Sequence, residues 1–202
     1  MSDETAFVGD VHGNLEALRG LNTALAALGQ PHVVYLGDYV NKGQRSAEVM
    51  EQLLRSSQAG QATLLRGNHE AALLDAFETA DLSAFLKMGG AMTIRSYVGR
   101  DVGPDVLADF KAAFPNEHLD AIRQMADRYE TNEVIAQHGP SAPTTSKFRI
   151  SAHVPVGELP RIGPSSAELD TSGGAESGRL TALLWPSRNY VQVDTSGSLV
   201  PN

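Results

Sequence analysis

The sequence predicts an α/β fold whose first three strands are parallel. Three short apolar segments, at 5–8, 33–36 and 62–65, are each followed by a Gly-containing polar motif and then by apolar residues at helical spacing. Right-handed crossovers would bring the three motifs to one edge of the sheet, beyond the carboxyl ends of its strands. In α/β proteins the functional groups gather at that edge.

The first unit joins the strand Thr5-Ala6-Phe7-Val8 to the motif Gly9-Asp10-Val11-His12-Gly13. A glycine at the strand end permits a sharp turn, because it has no Cβ atom. Asp10 and His12 are two positions apart, so both side chains could reach one metal ion. Leucines at helical spacing follow and predict the first helix.

The second unit carries Gly37-Asp38-Tyr39-Val40-Asn41-Lys42-Gly43, and the third carries Gly67-Asn68-His69-Glu70. Asp38 has two carboxylate oxygens, which can bridge two cations. Asn68 offers a neutral oxygen ligand, and His69 is a titratable group beside it. Each motif alone is also compatible with an ordinary turn or a helix cap. Their repetition at successive strand ends favours a metal site.

The second half of the chain adds two more histidines to this pattern. Residues from about 75 to 130 are predicted to be mostly helical and carry no obvious chemical motif. Strand character returns at 133–136, 148–150, 180–185 and 190–193. His138 and His153 each follow one of these segments, so four of the six histidines lie just beyond predicted strands. We expect a single domain over residues 1–202, with a helical insertion at about 75–130.

Composition narrows the functions that are open to the chain. The formal net charge of −8 opposes non-specific binding to nucleic acid. The sequence contains no cysteine, which excludes thiolate metal sites and a cysteine nucleophile and fits a reducing compartment. No apolar run approaches the roughly 18 residues of a membrane span, and the acidic start lacks the features of a signal peptide. We therefore expect a cytoplasmic protein without a membrane partner.

The motifs together resemble those of the calcineurin-like metallophosphoesterases, and most of all their phosphoprotein phosphatase branch. That branch includes bacterial Ser/Thr phosphatases and symmetrical diadenosine tetraphosphatases. The first and third motifs match the family pattern in full, and Gln137-His138-Gly139 and Ala152-His153-Val154-Pro155 are similar to its later histidine elements. The resemblance covers residues 6–78 well and 133–186 more loosely. It implies a central β-sandwich of two mixed sheets flanked by helices.

The resemblance also implies a site for two divalent metal ions, with Mn favoured and Fe or Zn as alternatives. The implied ligands are Asp10, His12 and Asp38 for one ion, and Asp38, Asn68, His138 and His153 for the other. In such a site a hydroxide that bridges the two ions attacks the phosphorus of a phosphate ester.

Four further residues acquire roles from the resemblance. His69 would protonate the leaving oxygen as general acid, while Arg66 and Lys42 would neutralise phosphate charge. Asn41 and Lys42 depart from the family's Gly-Asp-x-x-Asp-Arg-Gly pattern, and the pair is similar to that of the ApaH-like phosphatases. An amide at Asn41 can orient the imidazole of His69, but it stabilises the charged ring less well than a carboxylate would. We expect a weaker general acid, which matters least for a good leaving group.

Three functions therefore stay open. The first is a metal-dependent phosphoesterase of Ser/Thr protein phosphatase type, acting on phosphoproteins or small phosphoesters. The second is a diadenosine tetraphosphatase-like hydrolase of dinucleoside polyphosphates or similar nucleotide phosphoanhydrides, which Asn41 and Lys42 favour. The third is a catalytically weakened metal-binding protein that recognises phosphate, which Asn41 and the short segment between His138 and His153 favour.

Overall fold

The structure, a computed structural model, describes residues 4–29, 31–140, 146–175 and 177–201. The strands in these ranges are β1 (Thr5–Val8), β2 (His32–Tyr35), β3 (Ala62–Leu64), β4 (Arg128–Glu130), β5 (Val134–Gln137), β6 (Phe148–Ser151), β7 (Arg161–Ile162), β8 (Ser166–Glu168), β9 (Arg179–Trp185), β10 (Tyr190–Asp194) and β11 (Leu199–Val200). The helices are α1 (Leu15–Ala27), α2 (Ser46–Gln58), α3 (Asn68–Thr79), α4 (Ser83–Lys87), α5 (Gly90–Val98), α6 (Val106–Ala113) and α7 (Asn116–Gln124).

The strands form two mixed sheets. The first has the order β11-β10-β9-β1-β2-β3, with β1, β2 and β3 parallel and β9 antiparallel to β1. The second has the order β4-β5-β6-β8-β7, with β5, β6 and β8 parallel between two antiparallel edge strands. The predicted parallel arrangement of the first three strands is therefore confirmed.

The two sheets pack face to face, as the alternation of side chains along β1 illustrates. Phe7 points into a buried cluster that it shares with residues of both sheets, including Val34 of β2 and Ile150 of β6. Its neighbours Ala6 and Val8 belong instead to a second cluster, which joins the first sheet to the helices. Successive side chains of a strand face opposite sides of the sheet. This confirms the central β-sandwich flanked by helices.

Four helices, α4 to α7, lie within the region predicted to be a helical insertion. Their buried side chains, among them Phe85, Ile94, Phe110 and Ile122, join the cluster on the helix face of the first sheet. The predicted helical region extends slightly too far, because residues 128–130 form the edge strand β4. The division of the chain into one domain with an insertion stays a prediction. Across the described residues, none of the helices is both long and apolar enough to cross a bilayer.

Candidate metal centre

The three motifs meet at one edge of the first sheet, because each follows the carboxyl end of a parallel strand. The backbone carbonyl of Asp38 accepts hydrogen bonds from the N–H groups of Val11 and His12 at 3.1 and 2.9 Å, which fastens the first motif to the second. Gly37, at φ 114°, lies so close to the third motif that a Cβ atom there would meet the Gly67 nitrogen at 2.6 Å. Glycine is thus required where the second and third motifs touch.

The loops that carry the site hold several non-glycine residues in the left-handed backbone region. These are His12, Asp38, Asn41, Lys42 and His153, with φ values of 47°, 54°, 72°, 61° and 68°. Side chains with a Cβ atom adopt this conformation at a cost of about 1–3 kcal/mol each, and such residues cluster at functional sites. The strain therefore coincides with residues that the sequence singles out.

The first constellation is built around the imidazole of His12. Its Nδ1 lies 3.1 Å from the carbonyl oxygen of Val40, so Nδ1 carries the proton and Nε2 presents a lone pair to the site. Nε2 lies 3.5 Å from Asp10 Oδ2 and 3.8 Å from Asp38 Oδ2. The Nζ atom of Lys42 approaches the same Nε2 to 2.6 Å. A positive charge therefore lies where the lone pair points.

The second constellation is built around the imidazole of His138. Its Nδ1 donates to the carbonyl of Leu36 at 3.1 Å, so its Nε2 also faces the site with a lone pair. Around Nε2 lie Asn68 Oδ1 at 2.8 Å, His153 Nδ1 at 3.1 Å and Asp38 Oδ1 at 3.3 Å. These atoms come from three different segments of the chain, and Asp38 belongs to both constellations.

Both constellations fit a divalent cation by the chemistry of their donor atoms. Oxygen and imidazole nitrogen lone pairs converge at separations of 2.8 to 3.8 Å, whereas a self-sufficient hydrogen-bond network would alternate donors with acceptors. A second ring nitrogen bonded to a backbone carbonyl is the usual arrangement for a histidine that binds a metal. His12, Asp38 and His69 form one cluster of candidate ligands, and Asp38, His138 and His153 form another.

The charges of the site stabilise an ionised Asp38. Burial alone would raise the pKa of this carboxyl group, but His138, which in its protonated form donates from Nε2 to Asp38, holds it at about 2, with the charges of His69 and His12 adding to the effect. Burial also opposes protonation of His138, yet the contact with Asp38 raises the net pKa of the imidazole. The chain therefore keeps a buried negative charge at the point that the two constellations share.

His69 lies beside the first constellation, with its Nε2 3.6 Å from Asp38 Oδ2. Its Nδ1 contacts Asn41 Nδ2 at 2.8 Å, so the predicted pair is brought together. Burial, which outweighs the attraction of Asp38, lowers the pKa of His69 to about 4. His69 also lies with His12 and Asp38 in a cluster of candidate metal ligands, and the sequence did not indicate a ligand role for it.

The two predicted phosphate-binding cations lie on different sides of the centre. Lys42 contacts His12 in the first constellation, whereas Arg66 donates to Asp127 at 2.7 Å. Arg66, Asn68 and His138 line a cavity of about 370 Å³ that opens beside the second constellation. Each cation therefore faces a different constellation.

Three buried residues of the site were assigned no role from the sequence. The carboxylate of Glu70 accepts hydrogen bonds from the backbone of the second motif. The hydroxyl group of Thr93 contacts the Asn41 side chain at 2.7 Å. Burial and the nearby charge of Asp10 raise the pKa of Asp170. Glu70 is the last residue of the third motif, so its place in the sequence could have indicated a role at the site. Thr93 stands 52 positions from its partner, in a region without a motif.

The chain is similar in sequence to several known proteins. The family model described as calcineurin-like phosphoesterase matches residues 4–167. A zinc-dependent endopolyphosphatase of Saccharomyces cerevisiae is 32% identical over 95 residues, which are 46% of this chain and 28% of that protein. Serine/threonine-protein phosphatase 2 of Escherichia coli is 34% identical over 84 residues, 41% of this chain and 37% of that protein. The matched region thus spans well under half of either relative.

Solved structures share the fold over nearly the whole chain. A protein described as a candidate diadenosine tetraphosphatase superposes with a TM-score of 0.71 at 20% identity, covering 96% of this chain and 94% of its own. A cold-active protein-tyrosine phosphatase of a Shewanella species gives a TM-score of 0.58 at 15% identity, covering 98% and 80%. A protein serine/threonine phosphatase of Saccharomyces cerevisiae gives 0.57 at 10% identity, covering 98% and 81%. At these identities the likeness establishes the fold alone.

Proposed function

Because the chain belongs to the calcineurin-like phosphoesterase family, we propose that it is a dinuclear metal-dependent phosphoesterase. The observation that carries this proposal is the position of Asp38, whose two oxygens face different constellations of lone pairs. A carboxylate in that position can bind two cations at once. In the first candidate function, the substrates are phosphate monoesters of a phosphoprotein or of a small molecule.

The proposed ligands follow from the two constellations. Asp10, His12 and Asp38 would hold one ion, and Asp38, Asn68, His138 and His153 would hold the other. Oxygen and imidazole ligands suit Mn, our first choice, and also Fe and Zn; one relative is named as zinc-dependent. When bound, two such cations supply an activated water nucleophile and stabilise the charge of the phosphoryl oxygens.

The protein's own groups bind and orient the substrate around that centre. Lys42 and Arg66 place positive charge on two sides of the site, where they would attract phosphate oxygens. His69 would face the leaving oxygen through its Nε2 and donate a hydrogen bond to it. Because burial holds the pKa of His69 at about 4, little of the imidazole is protonated at neutral pH. Full proton transfer to a poor leaving group would therefore be slow.

This weakness of His69 favours a second candidate function, the hydrolysis of phosphoanhydrides. A phosphate leaves more easily than a serine alkoxide and needs less help from an acid. The contact between Asn41 and His69 supports the proposal, because no carboxylate is there to stabilise the charged imidazole. The named activities of two similar proteins, an endopolyphosphatase and a candidate diadenosine tetraphosphatase, also concern anhydrides.

One activity panel separates the candidates. The purified protein, loaded with Mn, would be assayed against p-nitrophenyl phosphate, a phosphoserine peptide, diadenosine tetraphosphate and inorganic polyphosphate. We expect turnover of p-nitrophenyl phosphate, with higher kcat/KM on the anhydrides than on the peptide if the second candidate is right. Metal binding without turnover of any substrate would contradict both and leave the protein as a phosphate-recognising metal-binding protein.

A further inference from the structure

A chain of hydrogen bonds runs from α2 through α5 to the imidazole of His69. Ser46 Oγ lies 3.1 Å from Thr93 Oγ1, which lies 2.7 Å from Asn41 Oδ1. The amide nitrogen of Asn41 then contacts His69 Nδ1 at 2.8 Å. All four residues are buried. We propose that Thr93 is a positioning residue that fixes the tautomer of His69, with Ser46 setting the direction of the chain; its role in catalysis rests on the function proposed above.

The direction of this chain decides which ring nitrogen of His69 carries the proton. Thr93 has one hydroxyl hydrogen, and one of its lone pairs already accepts from the backbone N–H of Asn41 at 2.8 Å. When that hydrogen goes to Asn41 Oδ1, the amide NH₂ group must face His69. An NH₂ group can only donate, so His69 Nδ1 is the acceptor and the proton of the neutral ring lies on Nε2.

The opposite direction is less favourable because of Ser46. It would turn the Asn41 amide over, send the Thr93 hydrogen to Ser46 and put the His69 proton on Nδ1. The hydroxyl hydrogen of Ser46 would then need another acceptor, and Thr93 is the partner that the described residues give it. In the first direction Ser46 donates to Thr93 and Thr93 donates to Asn41, so both hydroxyl hydrogens of the chain have an acceptor. A buried donor without an acceptor is unfavourable.

The fixed tautomer directs an N–H group toward the centre of the site. His69 Nε2 lies 3.6 Å from Asp38 Oδ2, on the side where a substrate would meet the metal centre. The opposite tautomer would present a lone pair there, which repels a phosphoryl or leaving oxygen. Thr93 thus acts on the reaction through Asn41 and His69.

The tautomer can be measured without metal and without substrate. The ¹⁵N shifts of the His69 ring, identified by their loss in His69→Asn, distinguish the two neutral tautomers. We expect the Nε2–H form in the metal-free wild-type protein and in Thr93→Ser, which keeps the hydroxyl group. Thr93→Val has nearly the same shape without that group, and we expect both tautomers in it. An Nδ1–H ring in the wild type, or an unchanged Nε2–H ring in Thr93→Val, would overturn the proposal.

A double-mutant cycle on the Mn-loaded enzyme separates positioning from mere packing. Thr93→Val should lower kcat/KM for phenyl phosphate, whose poor leaving group needs the acid, roughly 10- to 100-fold, the usual effect of losing an orienting group, and much less for p-nitrophenyl phosphate. Thr93→Ser should restore most of the loss. In an Asn41→Asp background, Thr93→Val should lower kcat/KM only about twofold. The two oxygens of the introduced carboxylate are equivalent, so this side chain does not need Thr93 to set which atom faces His69. Equal losses in both backgrounds would contradict the proposal. If the wild-type enzyme is inactive, the proposed function fails, while the ring shifts still decide the role of Thr93.

Discussion

Asp38 and Asn41 are the residues that give this site its character. Asp38 supplies a buried negative charge between two sets of lone pairs, and its pKa of about 2 keeps it ionised. Asn41 supplies an amide where the family usually has a carboxylate, and it contacts His69 directly. The first residue explains why the site suits metal ions. The second explains why its choice of leaving group should be unusual.

Replacing Asn41 by Asp should change the leaving-group dependence of the reaction. A carboxylate would accept a hydrogen bond from Nδ1 of His69 and stabilise the charged ring, which makes the imidazole a better acid. We expect kcat/KM to rise roughly tenfold or more for phenyl phosphate, a poor leaving group, and much less for p-nitrophenyl phosphate. Asn116→Asp, which adds the same charge at an exposed helix start, is the control. Equal changes on both substrates would mean that His69 does not protonate the leaving group.

At the scale of elements, the loop between β2 and α2 is held in place by one side chain of α3. The Glu70 carboxylate accepts hydrogen bonds from the backbone N–H groups of Asp38, Tyr39 and Val40 at 2.8, 2.8 and 3.2 Å, and from Gly67 at 3.1 Å. The loop carries both Asp38 and Asn41. The third motif therefore shapes the second as well as supplying candidate ligands.

Glu70→Gln tests this tether with an almost unchanged side-chain shape. The new NH₂ group would point at backbone N–H donors, so at least two of them would lose their acceptor. We expect the free energy of unfolding to fall by about 1–3 kcal/mol, with weaker metal binding, in chemical denaturation and metal titration. Glu48→Gln, at a half-exposed ion pair on α2, should change stability by less than about 0.5 kcal/mol. A Glu70 variant as stable as that control would refute the tether.

At the scale of the whole molecule, two sheets and their helices bring together residues from distant parts of the sequence. His138 and His153 follow strands of the second sheet, while the three motifs follow strands of the first. The buried cluster between the sheets fixes their separation, and with it the distance from His138 to Asp38. The candidate metal centre is thus a property of the sandwich rather than of any one motif.

The strand ends of the site were predictable because apolar strands and polar motifs alternate clearly along the chain. The partnership of Asn41 with Thr93 was not predictable, because it depends on how α5 packs and joins residues 52 positions apart. The strands β4, β7, β8 and β11 were also missed, since two or three residues are too few to show a periodicity. Local pattern thus predicts which groups reach the sheet edge, whereas packing decides what orients them.

The number of divalent ions bound per chain tests the central claim most directly. Metal-free protein would be titrated with Mn²⁺ and Zn²⁺ by calorimetry, and the stoichiometry checked by elemental analysis. We predict two ions per wild-type chain and at most one per Asp38→Ala chain, with Glu48→Gln behaving like the wild type. Two ions retained at full affinity by Asp38→Ala, or a wild-type chain that binds none, would contradict the account.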